Sequence, residues 1–228
     1  MNFKEIQDRV IYTLGMQEIV SVNERTLVKA FINDGVLDVV TRCRPYTRVI
    51  DLNLSGNTPI HDMSNTIIGL LDVEWPNLYG FLGRMSREDI TSAQSQSVPG
   101  FAYEEPLLWI SPVPSVATTI RAYGVFRPDP LIADADDPAV MRYGGIAPEF
   151  HQAIVNYTLW KGGEYTHHDL SGMGERWRLT YEGKDGTEGD LARIKRTLAK
   201  RVTPAMARKR DLSHNLGSMS LSGDYIGG

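Results

Sequence analysis

Cysteine is nearly absent from this chain: Cys43 is the only one in 228 residues. No internal disulfide can form, and a reducing compartment is expected. Cys43 has apolar neighbours on a predicted helix, which points to a small core residue rather than a reactive thiol. No apolar run reaches the roughly 18 residues a bilayer span requires. The opening MNFKEIQDRVIY carries acids where a signal peptide would be apolar, so synthesis and assembly in a cytoplasm are expected. The phosphate-cradling GxxxxGK[ST] pattern is missing, no GxGxxG follows a strand, and there is no GxSxG nucleophile elbow. No repeat recurs at a fixed period, which excludes a solenoid. Nothing in the chain calls for a cofactor, and the reading is of a protein that is not an enzyme.

What is present is a division of charge. Residues 1–192 hold 26 acids and 16 bases, a balance of −10, whereas residues 193–228 hold 8 bases and 2 acids, a balance of +6. All eight bases fall between Arg193 and Arg210, and a Gly/Ser segment with widely spaced apolar residues follows them. The remainder has the ordinary composition of a globular protein, 42% hydrophobic and 23% charged. At this length folding hides roughly 70% of the chain's surface, enough for a core without staples.

Periodicity divides the chain into three. Phe3, Ile6, Val10 and Leu14 form one stripe at helical period, with Asn2 and Glu5 as a capping box and Gly15 as a stop, predicting a helix over 2–15. Ser21 with Glu24 opens a second helix, 22–44, whose buried face is Leu27, Phe31, Val36, Val39, Val40 and Cys43 and which Pro45 closes. From 46 to 128 the period changes. Ile50, Leu52 and Leu54 alternate with polar residues, Ile67–Val73 is a second strand, and Leu107–Ile110 and Thr118–Phe126 are two strands joined by a proline-rich turn. That turn belongs at a sheet edge or outside the sheet, because proline cannot donate to the ladder. Helices return over 148–166, introduced by Pro148, and over 171–200, where Gly183, Gly186 and Gly189 either separate two helices or weaken one. The expected fold class is α+β: a helical bundle formed by both ends of the chain, a β-rich central insertion (46–128) and an extended C-terminal arm (201–228) beyond a single domain of residues 1–200.

Two clusters invite a metal reading. His151, His167, His168 and Asp169 are ligand types, but His151 and His167 would stand roughly 24 Å apart along one helix. Surface or interface histidines are the expectation. Asp134, Asp136 and Asp137 lack the central glycine and closing glutamate of an EF-hand, so a solvated loop is expected. The basic run LARIKRTLAKRVTPAMARKR has three readings: a solvated helix face, a phosphate-neutralising nucleic-acid site, or an arm that docks into an acidic partner surface. No aromatics interleave with the bases, which counts against nucleic acid. In the docking reading Arg201, Arg208, Lys209 and Arg210 give electrostatic register, and Leu212, Leu216, Met219, Leu221, Tyr225 and Ile226 are the apolar anchors. The 28 residues from Arg201 onward span up to about 90–100 Å when extended, and so polar a segment orders only on binding.

Several of these segments, in this order, resemble the head-to-tail connector (adaptor) proteins of tailed bacteriophages. FKEIQDRVIYTLG followed by LVKAFINDGVLDVVTR is similar to that family's first helices, with the Ile-Asn-Asp step at Ile32–Asp34. EPLLWISPVPSVATTIRAYGVFRPDPL resembles its strand–Pro-x-Pro–strand signature, and PEFHQAIVNYTLWKGGEYTHHDLSGMGERWRLTYEG its closing helical pair. The resemblance covers most of the chain. It implies a structural virion protein of the neck, between capsid and tail. Such a protein forms a ring, usually of twelve copies, beneath the portal protein, extends the DNA channel, and offers an attachment site to tail or nozzle proteins. DNA then passes without specific binding, no membrane is involved, and the C-terminal arm grips the portal. The other readings are a different neck or tail-completion protein, or a nucleic-acid-binding protein using residues 193–210.

Overall fold

A computed structural model describes residues 1–15, 22–76, 78–165, 171–184 and 186–201. The chain opens with α1 (Phe3–Thr13), and its cap is the expected box: the Asn2 side chain accepts from the Glu5 amide at 2.9 Å and the Glu5 carboxylate accepts from the Asn2 amide at 3.1 Å. Gly15 takes the left-handed turn that ends it, at φ +70°. The expected Ser21 cap lies outside the described residues. Next comes α2 (Val22–Cys43), which stops two residues short of Pro45.

The middle of the chain supplies β1 (Arg48–Leu54), β2 (Ile60–Asp62), β3 (Ile67–Trp75), β4 (Gly80–Phe81), β5 (Gly83–Arg84), α3 (Arg87–Gln96), β6 (Gly100–Glu104), β7 (Leu107–Ser111) and β8 (Thr118–Phe126). Two four-stranded sheets result, in the orders β1-β8-β3-β4 and β2-β7-β6-β5. In the first, β1 runs antiparallel to β8 in unbroken register from Arg48 opposite Gly124 to Leu54 opposite Thr118. In the second, only the β5–β6 pair is parallel. Alternation does the rest: Leu52, Leu54, Val73 and Ile120 from the first sheet and Phe101, Leu108 and Ile110 from the second share one buried core.

Two features of this region go beyond the sequence expectation. The strands β7 and β8 form where expected, with their proline-rich link outside the sheets, and they belong to different sheets. The proline-rich link between them carries the chain from one sheet to the other, and the Asn57 amide donates to the Pro114 carbonyl in it at 2.7 Å. The helix α3 had no strong sequence signature, because Ile90 and Ala93 are its only buried residues and two apolar positions make too thin a stripe.

The connector after β8 contains a 3₁₀ turn at Met141–Tyr143 and leads through a second, Pro148–Phe150, into α4 (His151–Tyr165). Then follow α5 (Ser171–Glu182), a two-residue hairpin of β9 (Gly183–Lys184) and β10 (Thr187–Glu188), and α6 (Asp190–Arg201). The stretch 171–200 is therefore two helices, and glycine separates them for a steric reason. Gly183 sits at φ +89°, and a Cβ on Gly189 would lie 2.2 Å from the Gly183 nitrogen. Helices from both ends of the chain fill a second core, where Phe3, Ile6, Ile32, Val36, Ile154, Tyr181, Leu191 and Ile194 meet. The class is α+β.

Candidate functional site

No group of His, Cys, Asp or Glu that could hold a metal is gathered among the described residues, and Asp136 and His151 have structural partners. The Asp136 carboxylate accepts from the Ile132 and Ala133 amides, each at 2.8 Å, and from the Tyr143 hydroxyl at 2.6 Å. These bonds, the Tyr143 hydroxyl foremost, hold its pKa below the ordinary aspartate range. The aspartate loop is exposed over residues 132–135, as expected, and Asp136 ties it internally. His151 departs from expectation: it is fully buried, not a surface or interface residue. Its Nε2 bonds the Ile146 carbonyl at 2.8 Å and its Nδ1 meets the Met1 ammonium at 3.0 Å. An imidazole with both nitrogens satisfied can be buried without penalty from orphaned polar atoms. His167, His168 and Asp169 lie outside the described residues. Burial pushes the Cys43 thiol up to about 11, so it behaves as a core residue.

The sequence placed the site in the C-terminal arm. Of those residues the Arg201 backbone closes α6, while the Arg201 side chain and Arg208, Lys209, Arg210, Leu212, Leu216, Met219, Leu221, Tyr225 and Ile226 lie outside the described residues. The beginning of the basic run is described, and it is a docked helix. Leu191 and Ile194 are buried and Leu198 half-buried at a spacing of three and four, so one stripe of α6 enters the helical core. Asp190 fixes its start: the carboxylate accepts from the Asn156 side chain of α4 at 2.6 Å and from Arg193 at 2.9 Å. Arg196 pairs with Glu188 at 2.9 Å. Two of the run's bases are thereby matched by neighbouring acids, whereas Lys195 and Lys200 are exposed on the same helix.

A second surface went unnoticed in the sequence. Register places Asp51, Arg121, Glu74 and Phe81 in one row across the outer face of the first sheet, and Val49, Tyr123 and Asp72 in the next. Arg121 bridges Asp51 at 3.6 Å and Glu74 at 3.7 Å, and the Tyr123 hydroxyl donates to Glu74 at 2.8 Å. That hydrogen bond raises the phenol above its ordinary range. Within this polar frame the rings of Phe81 and Tyr123 pack at 5.4 Å. Phe81 is 64% exposed, and Val49, opposite Tyr123 in the next row, is also exposed; Leu78, Tyr79 and Leu71 are further exposed apolar residues of β3 and the turn after it. Leu71 falls where the β3–β8 register slips between Leu70 and Asp72, the kind of bulge that re-aims a side chain. An exposed apolar group rimmed by charge is the composition of an interaction surface. The signal was in the sequence as an aromatic-rich turn, Trp75 to Phe81, but the register that adds Val49 and Tyr123 was not.

No described helix is long and apolar enough to cross a membrane. No curated protein matches the chain. A family model described as SU10 adaptor protein matches residues 1–208, which takes in every described element from α1 to α6 and leaves only the last 20 residues uncovered. The chain belongs to the SU10 adaptor protein family, whose members are structural phage adaptors rather than enzymes.

Proposed function

We propose that this protein is the head-to-tail adaptor of a phage neck, assembling as a ring of twelve copies below the portal protein, extending the DNA channel and providing the attachment site for tail or nozzle proteins. The family match over residues 1–208 carries the reading. In it, helices from both ends of the chain form the body that lines the channel, and the net acidity of residues 1–192 suits a conduit that repels phosphates and lets DNA slide. The C-terminal arm, 201–228, grips the portal: Arg201, Arg208, Lys209 and Arg210 set register against acidic groups, and Leu212, Leu216, Met219, Leu221, Tyr225 and Ile226 fill apolar pockets. Twelve weak arms acting together give a durable joint, because each docked arm raises the effective concentration of the next. The outer face of the first sheet, centred on Phe81 and Tyr123, is the surface offered to the tail.

A nucleic-acid role for residues 193–210 is disfavoured by the pairing of Arg193 with Asp190 and of Arg196 with Glu188, which leaves fewer free cations for phosphates. The test mixes purified chain with the portal ring of its own genome and follows mass and negative-stain images for the full-length protein and a 1–200 truncation. A stoichiometric added ring with the full-length chain, and none with the truncation, supports both the adaptor role and the arm. Docking of the truncation at full strength sinks the arm. Failure of both, together with salt-sensitive binding of arbitrary duplex DNA, sinks the adaptor reading.

A further inference from the structure

Arg44, the first residue past α2, takes φ +49°, the left-handed turn at which glycine is the ordinary choice, while its amide donates to the Val40 carbonyl at 3.0 Å. A side chain in that conformation costs energy, and an arginine kept there points to a use for its side chain. The guanidinium lies flat over Gly69 of β3: a Cβ on Gly69 would stand 3.4 Å from Cζ, 3.5 Å from Nη1 and 3.7 Å from Nη2. Among the described residues it makes no hydrogen bond, and no carboxylate comes within ion-pair distance of it.

Two further groups belong to the same corner. Arg48 opens β1 opposite Gly124, which on its other side lies opposite Leu70, so the two arginines flank β8 at a residue with no side chain. The Arg48 guanidinium covers the Phe126 ring at 5.4 Å and donates to the Arg127 carbonyl at 3.4 Å, again without a carboxylate. On the facing sheet, the Tyr103 hydroxyl of β6 is closed to solvent and has no hydrogen-bond partner among the described residues. Burial raises its pKa, and the charges of Glu105 and Arg44 both reach it, yet Glu105 pairs with neither arginine. The corner is thus a set of donors without an acceptor. Its chemistry suits a carboxylate, whose two oxygens match the paired N–H groups of a guanidinium and leave lone pairs for a phenol. A second copy of the chain would bring many: residues 1–192 carry a balance of −10, a charge that repels phosphates.

We propose that Arg44, with Arg48 and Tyr103, receives a carboxylate side chain of the neighbouring copy and couples adjacent subunits of the ring. The site is incomplete in one chain, because the partner copy supplies its acceptor. Each copy gives one carboxylate and receives one, the head-to-tail contact that closes a ring. This contact rests on the ring proposed for the neck.

The experiment adds full-length chain to the portal ring of its own genome at half the amount that fills it, and weighs single particles. Contact between copies makes filling all-or-none, so the parent is expected to leave bare portals beside full rings. Arg44→Gly gives the left-handed turn a residue that suits it, and its Tm is expected to be no lower than the parent's. Tyr103→Phe removes only the orphaned hydroxyl. Each variant is expected to raise the partly filled fraction by about fivefold, because copies then dock independently. The proposal is overturned if both variants fill all-or-none, if Arg44→Gly melts lower than the parent, or if the parent itself fills at random. Loss in the variants of a salt-sensitive affinity for duplex DNA would assign the arginines to phosphate and overturn it too. A parent that adds no mass to the portal sinks the ring and this contact together, an outcome distinct from all-or-none filling by the variants.

Discussion

Tyr181 of α5 donates its hydroxyl hydrogen to the Asp38 carboxylate of α2, 143 residues away in the chain, across 2.5 Å. The phenol is fully buried, and burial followed by the bond to Asp38 raises its pKa far above the ordinary range. Around it, Tyr157 packs edge-on at 5.4 Å, and Arg42 bonds both Asp38 at 3.6 Å and Glu182 at 3.1 Å. This contact joins the two ends of the chain with a hydrogen bond to a charged acceptor, the stronger kind.

Tyr181→Phe keeps the ring and removes that bond. Chemical denaturation should show a loss of about 2 kcal/mol with an unchanged m-value, because the cavity is not altered. Tyr181→Ala removes the ring as well and should cost about 4 kcal/mol. A phenylalanine variant as stable as the parent would mean that the bond contributes nothing net.

His61 gives the opposite expectation. It is buried on β2, a backbone bond with Thr58 engages the ring, and its Nε2 has no partner among the described residues. Burial depresses its pKa, as it does for His151, so the unfolded chain binds more protons near the imidazole range. Their stabilising contribution is complete above pH 6.5 and is lost as pH falls through the depressed folded values. His61→Leu should raise stability by about 1 kcal/mol at neutral pH and flatten part of this acid dependence, both readable from thermal melts at several pH values. A lower Tm at pH 7.5 would show that Nε2 is satisfied after all.

Phe81→Asp tests the outer sheet face. The side chain is mostly exposed, so the melting curve should move by no more than about 0.5 kcal/mol equivalent. Pull-down of the tail or nozzle protein of the same genome onto a portal–adaptor complex should drop at least tenfold, while docking to the portal itself is unchanged. Unaltered tail binding would remove this face from the proposal.

The hairpin between α5 and α6 tests a backbone requirement. A Cβ on Gly189 would sit 2.2 Å from the Gly183 nitrogen and 2.7 Å from the Tyr181 carbonyl oxygen, and backbone cannot swing aside as a side chain can. Gly189→Ala should cost at least about 2 kcal/mol by denaturant titration. Gly83→Ala, whose added methyl meets nothing within 4 Å, is the matched control and should be close to neutral.

Local order was readable from residues because its causes are local. The Asn2–Glu5 box and the Ile50, Leu52, Leu54 alternation each need only a few neighbours, and both appear as expected. What the residues could not convey is pairing at a distance. Nothing near Leu107 or Thr118 says that their strands join different sheets, because strand partners are chosen by whole-sheet burial. His151 was misread for a related reason: imidazole suits surface and interior alike, and its two partners, Met1 and Ile146, are 150 and 5 residues away. The candidate surfaces divide the same way. A block of bases declares itself in composition, but the patch at Phe81 exists only once register sets Val49 beside Tyr123 and Tyr123 beside Asp72.

The β1–β8 pairing also makes the whole β region a room with one narrow doorway. Its first strand begins at Arg48 and its last passes Gly124, and these are register partners, so entry and exit lie about one strand spacing, some 5 Å, apart. Among the described residues, Val125 and Ile68 are its contributions to the helical core. A module so hinged can be lengthened, trimmed or exchanged for another with adjacent ends while the helices keep their packing. Sequence variation can therefore accumulate in residues 46–128 without disturbing the helical packing that carries them.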